Sequence, residues 1–555
     1  MLKGSRLFTL IVAGLLFSTA TVWANDEQMA WQNLPAWKSN SAWKALGALP
    51  IQSQGRVKPL DSFARETVHS LTKRSAFENQ HPVETVLAIV TYPGDWSEAP
   101  VLLVPYRPLR EALGLGPEAR SISYAKLMSD KKLMPMLPAV AQKQRRSESL
   151  NRMEQEVNDL YLRMLTFHRL MTADAFRVIP PLETSATQEW VSPLAAEGYS
   201  PQAQVAIREA WMNFVEVLGQ GESGVDQVLT ELKRVRNASG VATLPAPWRL
   251  DLEVRYNQLR PFHLSWIGYL IASILLMIGF KGNKPVQKFG IYLLWGVFIL
   301  HVGGLVTRVI LSGRAPVSNL YESMLWLALV VVILGAVLQR MTQSDYALLA
   351  SGWMAGITVM LADQLPFEPW LHPIIAVLRS NLWLTIHVLT IVASYGAIAL
   401  ATAVAHVAGV FYLLKRPPSL LAKLYQLLYR SIQIGVILLS AGIMLGALWA
   451  NVSWGRYWGW DPKETWSLIT LLWFLAVLHG RYAGWIKGIG LALATIGGFL
   501  LMLMTYYGVN FFLVGLHSYA GGSAAQPLPP LLIAYLTAEA IFVGLVWRAG
   551  SRGTS

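Results

Sequence analysis

Two patterns of apolar and polar positions divide the chain. Up to about Arg260 the sequence is mixed and polar, broken by Pro and Gly. Apolar residues at helical spacing predict helices over about Ala141 to Met171, Pro201 to Leu218 and Val225 to Val235. Val101 to Tyr106 reads as a short strand. From Leu264 the pattern changes to nine apolar runs: Leu264 to Phe280, Phe289 to Leu311, Val317 to Leu338, Tyr346 to Ala362, Leu384 to Leu414, Ser431 to Ala450, Glu464 to His479, Trp485 to Tyr507 and Leu531 to Trp547. At about 1.5 Å per residue, most are long enough to cross a hydrocarbon layer of about 30 Å. The predicted fold is an all-α polytopic membrane protein: about nine transmembrane helices over 261–555, preceded by a mostly helical extracytoplasmic domain over 25–260.

Composition supports this reading. Of 555 residues, 54% are hydrophobic and 14% charged, far more apolar than a soluble protein. With no cysteine, the chain has no disulfide, no thiolate-ligated metal and no thiol nucleophile of its own. Any thiol chemistry belongs to a partner. The net charge of +13 lies largely in short loops between apolar runs, where it sets orientation, so nucleic acid is not an expected partner and the lipid bilayer is.

Residues 1–24 carry Lys3 and Arg6, an apolar run and Val22-Trp23-Ala24, as in a signal peptide or an uncleaved anchor. With Leu264 on the outer side, twelve basic residues, among them Lys281, Lys288, Lys415, Arg430 and Arg548, face the cytoplasm. Only Arg308, Arg314, Arg379, Arg456 and Lys463 lie at or near the outer loops. This places the C-terminus in the cytoplasm and the polar region, with residues 449–466, on the other side.

That stretch, WANVSWGRYWGWDPKETW, holds five tryptophans in eighteen residues. Flat aromatic faces beside Arg456, Asp461, Lys463 and Glu464 suit a large planar ligand, and His387 and His517 flank it at the same membrane face. Two neutral imidazoles across an aromatic surface form a ligand set for haem iron. An interfacial aromatic belt accounts for the tryptophans equally well. Asp461-Pro462-Lys463-Glu464 also reads as a helix start with Asp461 at the N-cap. The residues alone leave both readings open. His69, His81 and His168 have no spacing that predicts a metal site; His263 is expected at the interface, and Arg308 with Glu322 as a structural pair.

WGRYWGWDPKETWSLITLLWF resembles the tryptophan-rich signature of the CcsA (ResC) family of cytochrome c biogenesis proteins. His301 with Arg308 and Ser318-Asn319-Leu320-Tyr321-Glu322-Ser323, Leu478-His479-Gly480-Arg481, and Gly508-Val509-Asn510 leading to Leu516-His517-Ser518-Tyr519 follow in the family's order, from about Phe289 onward. Gly55-Arg56-Val57-Lys58-Pro59-Leu60-Asp61 is more weakly similar to the exported part of some fused forms.

The resemblance implies a holocytochrome c synthase (haem lyase) subunit in a bacterial inner membrane that exports haem b and presents it to the CxxCH thiols of apocytochrome c. It further implies that His387 and His517 ligate haem beside Trp454, Trp458 and Trp460, with Asp461 in the signature, and that His479 holds haem within the membrane. Arg456, Lys463 or Arg379 would pair with the propionates, and no catalytic base is visible. The family's second ligand for the membrane haem comes from a ResB/CcsB-type portion, which is incomplete here. A partner subunit is the first candidate, His301 the second, and His406 fits His479 in depth. The alternatives are a haem-b electron-transfer or quinone-reactive subunit, and a haem transporter without attachment activity.

Overall fold

The computed structural model describes residues 46–146, 148–181, 189–196, 198–219, 230, 246–280, 282–365, 367–373, 381–517 and 529–552. The expected leader 1–24, Arg379, Ser518 and Tyr519 lie outside the described residues, as does all of the predicted helix Val225 to Val235 except Thr230.

The polar part begins with a hairpin, Pro50–Ser53 antiparallel to Arg56–Pro59. Its two-residue turn, Gln54-Gly55, has φ of 51° and 74°, the mirror-image turn whose twist matches the strands. Helix Leu60–Thr72 follows directly and packs with Pro82–Thr91, Arg152–Met171 and Pro201–Gly219 around Trp96, Phe167, Phe176, Trp211 and Phe214. The helix expected over Ala141 to Met171 is two helices, Leu137–Arg145 and Arg152–Met171. Asn151 starts the second with a capping box to Glu154, so the break lies at a local hydrogen-bonding signal. The expected strand shrinks to Leu102–Leu103, paired with Ser121–Ile122.

Helix Pro247–Leu259 leads into the first span, Pro261–Gly279, through Arg260 in the left-handed region. Arg56 of the hairpin makes two 2.7 Å bonds to Glu253 on this helix, Ser62 donates to the same carboxylate, and Asn257 donates to Asp61. Gly55-Arg56-Val57-Lys58-Pro59-Leu60-Asp61 is thus the clamp between the polar part and the first span.

Eight helices among the described residues are long and apolar enough to cross a membrane, making this an all-α, multi-pass membrane protein. The remaining predicted run forms helix Pro462–Tyr482, whose ends carry Lys463, Glu464, His479 and Arg481 and lower its mean hydropathy. Leu389–Leu413 runs through the middle of the bundle, packed on Leu320–Thr342, Pro418–Trp454 and Ile489–Leu503. Its Ala and Gly residues, such as Gly396, Ala401, Ala405 and Gly409, let neighbouring backbones approach where no hydrophobic force draws helices together. Near the end bearing the polar part, Arg308 and Glu322 form a 2.6 Å ion pair, each side chain 1% exposed. Arg308 also donates to the Tyr256 hydroxyl and the Pro369 carbonyl.

Candidate functional site

At that same end, two spans depart from α-helical winding. Leu384–Val388 and Met504–Gly508 are π-helical turns. Such turns insert one residue and re-aim side chains, and they recur at functional sites. The first carries His387 and the second Tyr506, and both line one cavity of about 680 Å³. That is within the range of about 300–1,000 Å³ usual for cofactor-sized ligands.

His387 Nδ1 donates to the Gly442 carbonyl oxygen at 3.0 Å. A carbonyl oxygen can only accept, so Nδ1 carries the proton and Nε2 keeps its lone pair. Gly446 makes the approach possible, since a Cβ there would lie 2.7 Å from His387 Cε1. The Trp449 indole is stacked on His387, centroids 5.7 Å apart, and meets His517 at 6.3 Å.

His517 lines the same cavity, with its Nδ1 2.8 Å from Asp461 Oδ1. Asp461 caps helix Pro462–Tyr482, as its sequence predicts, and accepts the Lys463 and Leu516 N–H groups at 3.0 and 2.6 Å. Burial pushes its carboxyl up, but the bonds from His517 and these N–H groups outweigh burial and hold it below the usual carboxylate range. Gly515 is required here, because a Cβ would sit 2.5 Å from Asp461 Oδ2.

The remaining predicted residues divide. Trp458 lines the cavity, and Trp454 stands edge-on to His517 at 5.1 Å. Trp460 has a left-handed backbone, φ 57°, which turns its ring outward; it is 70% exposed and touches Trp458 edge-on. Arg456 folds over Gly459, where any Cβ would collide with its guanidinium, and does not line the cavity. Lys463 does, with its ammonium 3.2 Å from Asn510 Oδ1. His479 lies about 26 Å along its helix from Pro462, exposed, with Nδ1 2.7 Å from the Leu475 carbonyl. His301 is buried elsewhere in the bundle, 3.2 Å from the Tyr269 hydroxyl, and His406 pairs with Glu539.

Trp449, Tyr395, Tyr506 and Asn510 also form the wall and were not among the predicted site residues. Trp449 belongs to the tryptophan stretch, but its place inside a helix hid it. The cavity suits a planar, anionic ligand that carries iron on three counts. Two imidazoles line it with their Nδ1 atoms engaged, aromatic faces flank them, and the buried Trp449 Nε1 has no hydrogen-bond partner among the described residues. With Lys463, that orphan donor asks for an acceptor from the ligand.

A model of the family described as cytochrome C assembly protein matches residues 317–517, from the edge of the cavity to His517. Over 520 residues the chain is 31% identical to protein NrfI of Wolinella succinogenes, covering 88% of this chain and 55% of that one. The chain therefore spans about half the length of that relative. It is 33% identical to the cytochrome c biogenesis protein CcsA of Chlorella vulgaris over 283 residues, 44% of this chain and 90% of that one. CcsA of Prochlorococcus marinus is 33% identical over 302 residues, 46% of this chain and 94% of that one. This chain belongs to the CcsA family of cytochrome c biogenesis proteins.

Proposed function

We propose that the chain binds haem b as a substrate in this cavity, between His387 and His517, and presents it for attachment to apocytochrome c. The observation that carries the reading is the pair of imidazoles in one cavity wall, each with Nδ1 engaged and both against Trp449. In the attachment, each CxxCH thiol of the apocytochrome adds across a haem vinyl group. Sulfur bonds to one vinyl carbon and hydrogen to the other, with no net oxidation. The chain's part is to orient and to exclude water, so it needs no side-chain base, and no catalytic residue is assigned. Trp449 and Trp458 pack the ring, and Lys463 with Trp449 Nε1 takes a propionate. Arg456 is the weaker candidate because it is turned away.

The reading extends to export. His479 holds haem inside the membrane, with its second ligand on a ResB/CcsB-type subunit. Its exposure supports a ligand from another chain; His406 has both ring nitrogens engaged, by Thr402 and Glu539, whereas His301 meets Tyr269 through Nδ1 and keeps a buried Nε2 with no partner among the described residues, which leaves it the second candidate. The setting is a bacterial inner membrane, with the polar part and the tryptophan loop on the periplasmic side, as the distribution of basic loops favours.

Co-expression of the chain with an apocytochrome c, with and without a ResB/CcsB-type subunit, tests this. Haem that stays on the cytochrome after denaturation is expected when both subunits are present. Haem bound to this chain but never joined to the cytochrome would leave a transporter without attachment activity. Haem held by histidines other than His387, His517 and His479 would favour an electron-transfer subunit.

A further inference from the structure

The two cavity histidines are not equivalent. Asp461 Oδ1 lies 2.8 Å from His517 Nδ1, and the carboxylate side chain is only 3% exposed. Two backbone N–H groups fix it in place, and it lies so close to the Gly515 backbone that a Cβ there would sit 2.5 Å from Oδ2. His387 Nδ1 instead meets the neutral Gly442 carbonyl at 3.0 Å. A buried carboxylate on the far nitrogen makes an imidazole more basic at Nε2 and fixes its orientation, and such partners change ligand affinity by about 10–100-fold. A helix carbonyl, already bonded within its helix, contributes less.

We infer that Asp461 makes His517 the retained axial ligand and leaves His387 as the ligand that the histidine of the incoming cytochrome displaces. Asp461 is a positioning residue in this scheme. It acts through His517 and does not touch the reacting vinyl groups. The order has a geometric counterpart: His517 is tied by Asp461 to the start of helix Pro462–Tyr482, whereas His387 sits on a π-helical turn against one face of Trp449. The inference rests on the haem reading above.

The test uses the full chain purified in detergent and loaded with haemin, as wild type, His387→Ala, His517→Ala and Asp461→Asn. Asparagine still caps the helix, so the fold is expected to survive. Haem transfer to excess apomyoglobin is followed, together with the midpoint reduction potential. Loss of haem is expected to quicken at least tenfold in His517→Ala and about tenfold in Asp461→Asn, and by less than about threefold in His387→Ala. The potential rises in Asp461→Asn, because the axial imidazole becomes a poorer donor, a change that a purely structural role would not produce. Equal loss from the two histidine variants, or wild-type potential and retention in Asp461→Asn, overturns the inference while the haem reading stands. Should Asp461→Asn not fold, the two histidine variants decide alone. A wild-type chain that takes up no haemin overturns both.

Discussion

His387 and Trp449 are stacked, their ring planes 29° apart, and Trp449 keeps an indole N–H without a partner among the described residues inside a cavity. Replacing Trp449 with Phe preserves an aromatic face and removes only that donor. If the N–H receives a propionate, Trp449→Phe binds haem about tenfold more weakly, since a hydrogen bond to a charged group is worth about 1.5–3 kcal/mol. Haem per protein, measured as the pyridine haemochrome across a haemin titration, checks it. Unchanged affinity would remove Trp449 from the contact.

Lys463 reaches the cavity beside Asn510. Lys463→Gln is expected to weaken haemin binding by about 2 kcal/mol, within the range for charge-assisted hydrogen bonds. The same substitution should not affect binding of haemin dimethyl ester, which lacks the propionate charge. An equal loss for both ligands would show that Lys463 acts only on the structure.

Arg308 and Glu322 make a buried pair with ties to Tyr256, Ser318 and Pro369. Arg308→Met alone leaves a carboxylate buried without its cation and should cost about 3–5 kcal/mol. Arg308→Met with Glu322→Met should cost much less. Thermal unfolding of the single and double variants in detergent measures both.

His69, His81 and His372 lie outside the spans and are all held below the ordinary imidazole value of 6.5, first by burial; Lys73 and Arg65 add to this at His69 and His81. His69 stands edge-on to Trp370, two residues from His372, so these two histidines lie where the polar part touches the loop beside the cavity, while His81 lies 3.8 Å from Asp61. Each stays neutral in the fold at a pH where the unfolded chain already binds a proton. Their stabilising contribution is therefore full above about pH 6.5 and is lost as pH falls towards the lowered folded values. The melting temperature is expected to drop over that interval, and a His69→Gln, His81→Gln, His372→Gln variant should flatten the slope. A slope unchanged by the triple variant would contradict this assignment.

The membrane helices were legible because crossing a bilayer demands long apolar runs, which leave a strong mark at every position. The cap at Asp461 was legible from its Asp-Pro-Lys-Glu pattern, and His387, His517 and Trp458 were singled out by five tryptophans in eighteen residues and by the family resemblance, since an interfacial belt explains aromatic residues there equally well. Other features left weaker marks. A π-helical turn adds a single residue to a helix, so neither hydropathy nor composition distinguishes Leu384–Val388 from its neighbours. Trp449 reads as part of a helix, and its contact with both histidines exists only once Pro418–Trp454 packs beside His387. Trp460 and Arg456 looked equivalent to their neighbours in sequence. A left-handed backbone at one and a missing side chain at Gly459 turned them away from the cavity. In the polar part, short helices and two-residue strands depend on tertiary packing, and so periodicity placed Arg152–Met171 but not its start at Asn151.

The most direct test of haem binding between His387 and His517 is the reduced absorption spectrum of the detergent-purified chain, as wild type, His387→Ala and His517→Ala, with and without imidazole. Haem that co-purifies with the wild type, falls in both variants and is restored by imidazole is the expected result. No haem in the wild type, or a full complement in both variants, would contradict the account.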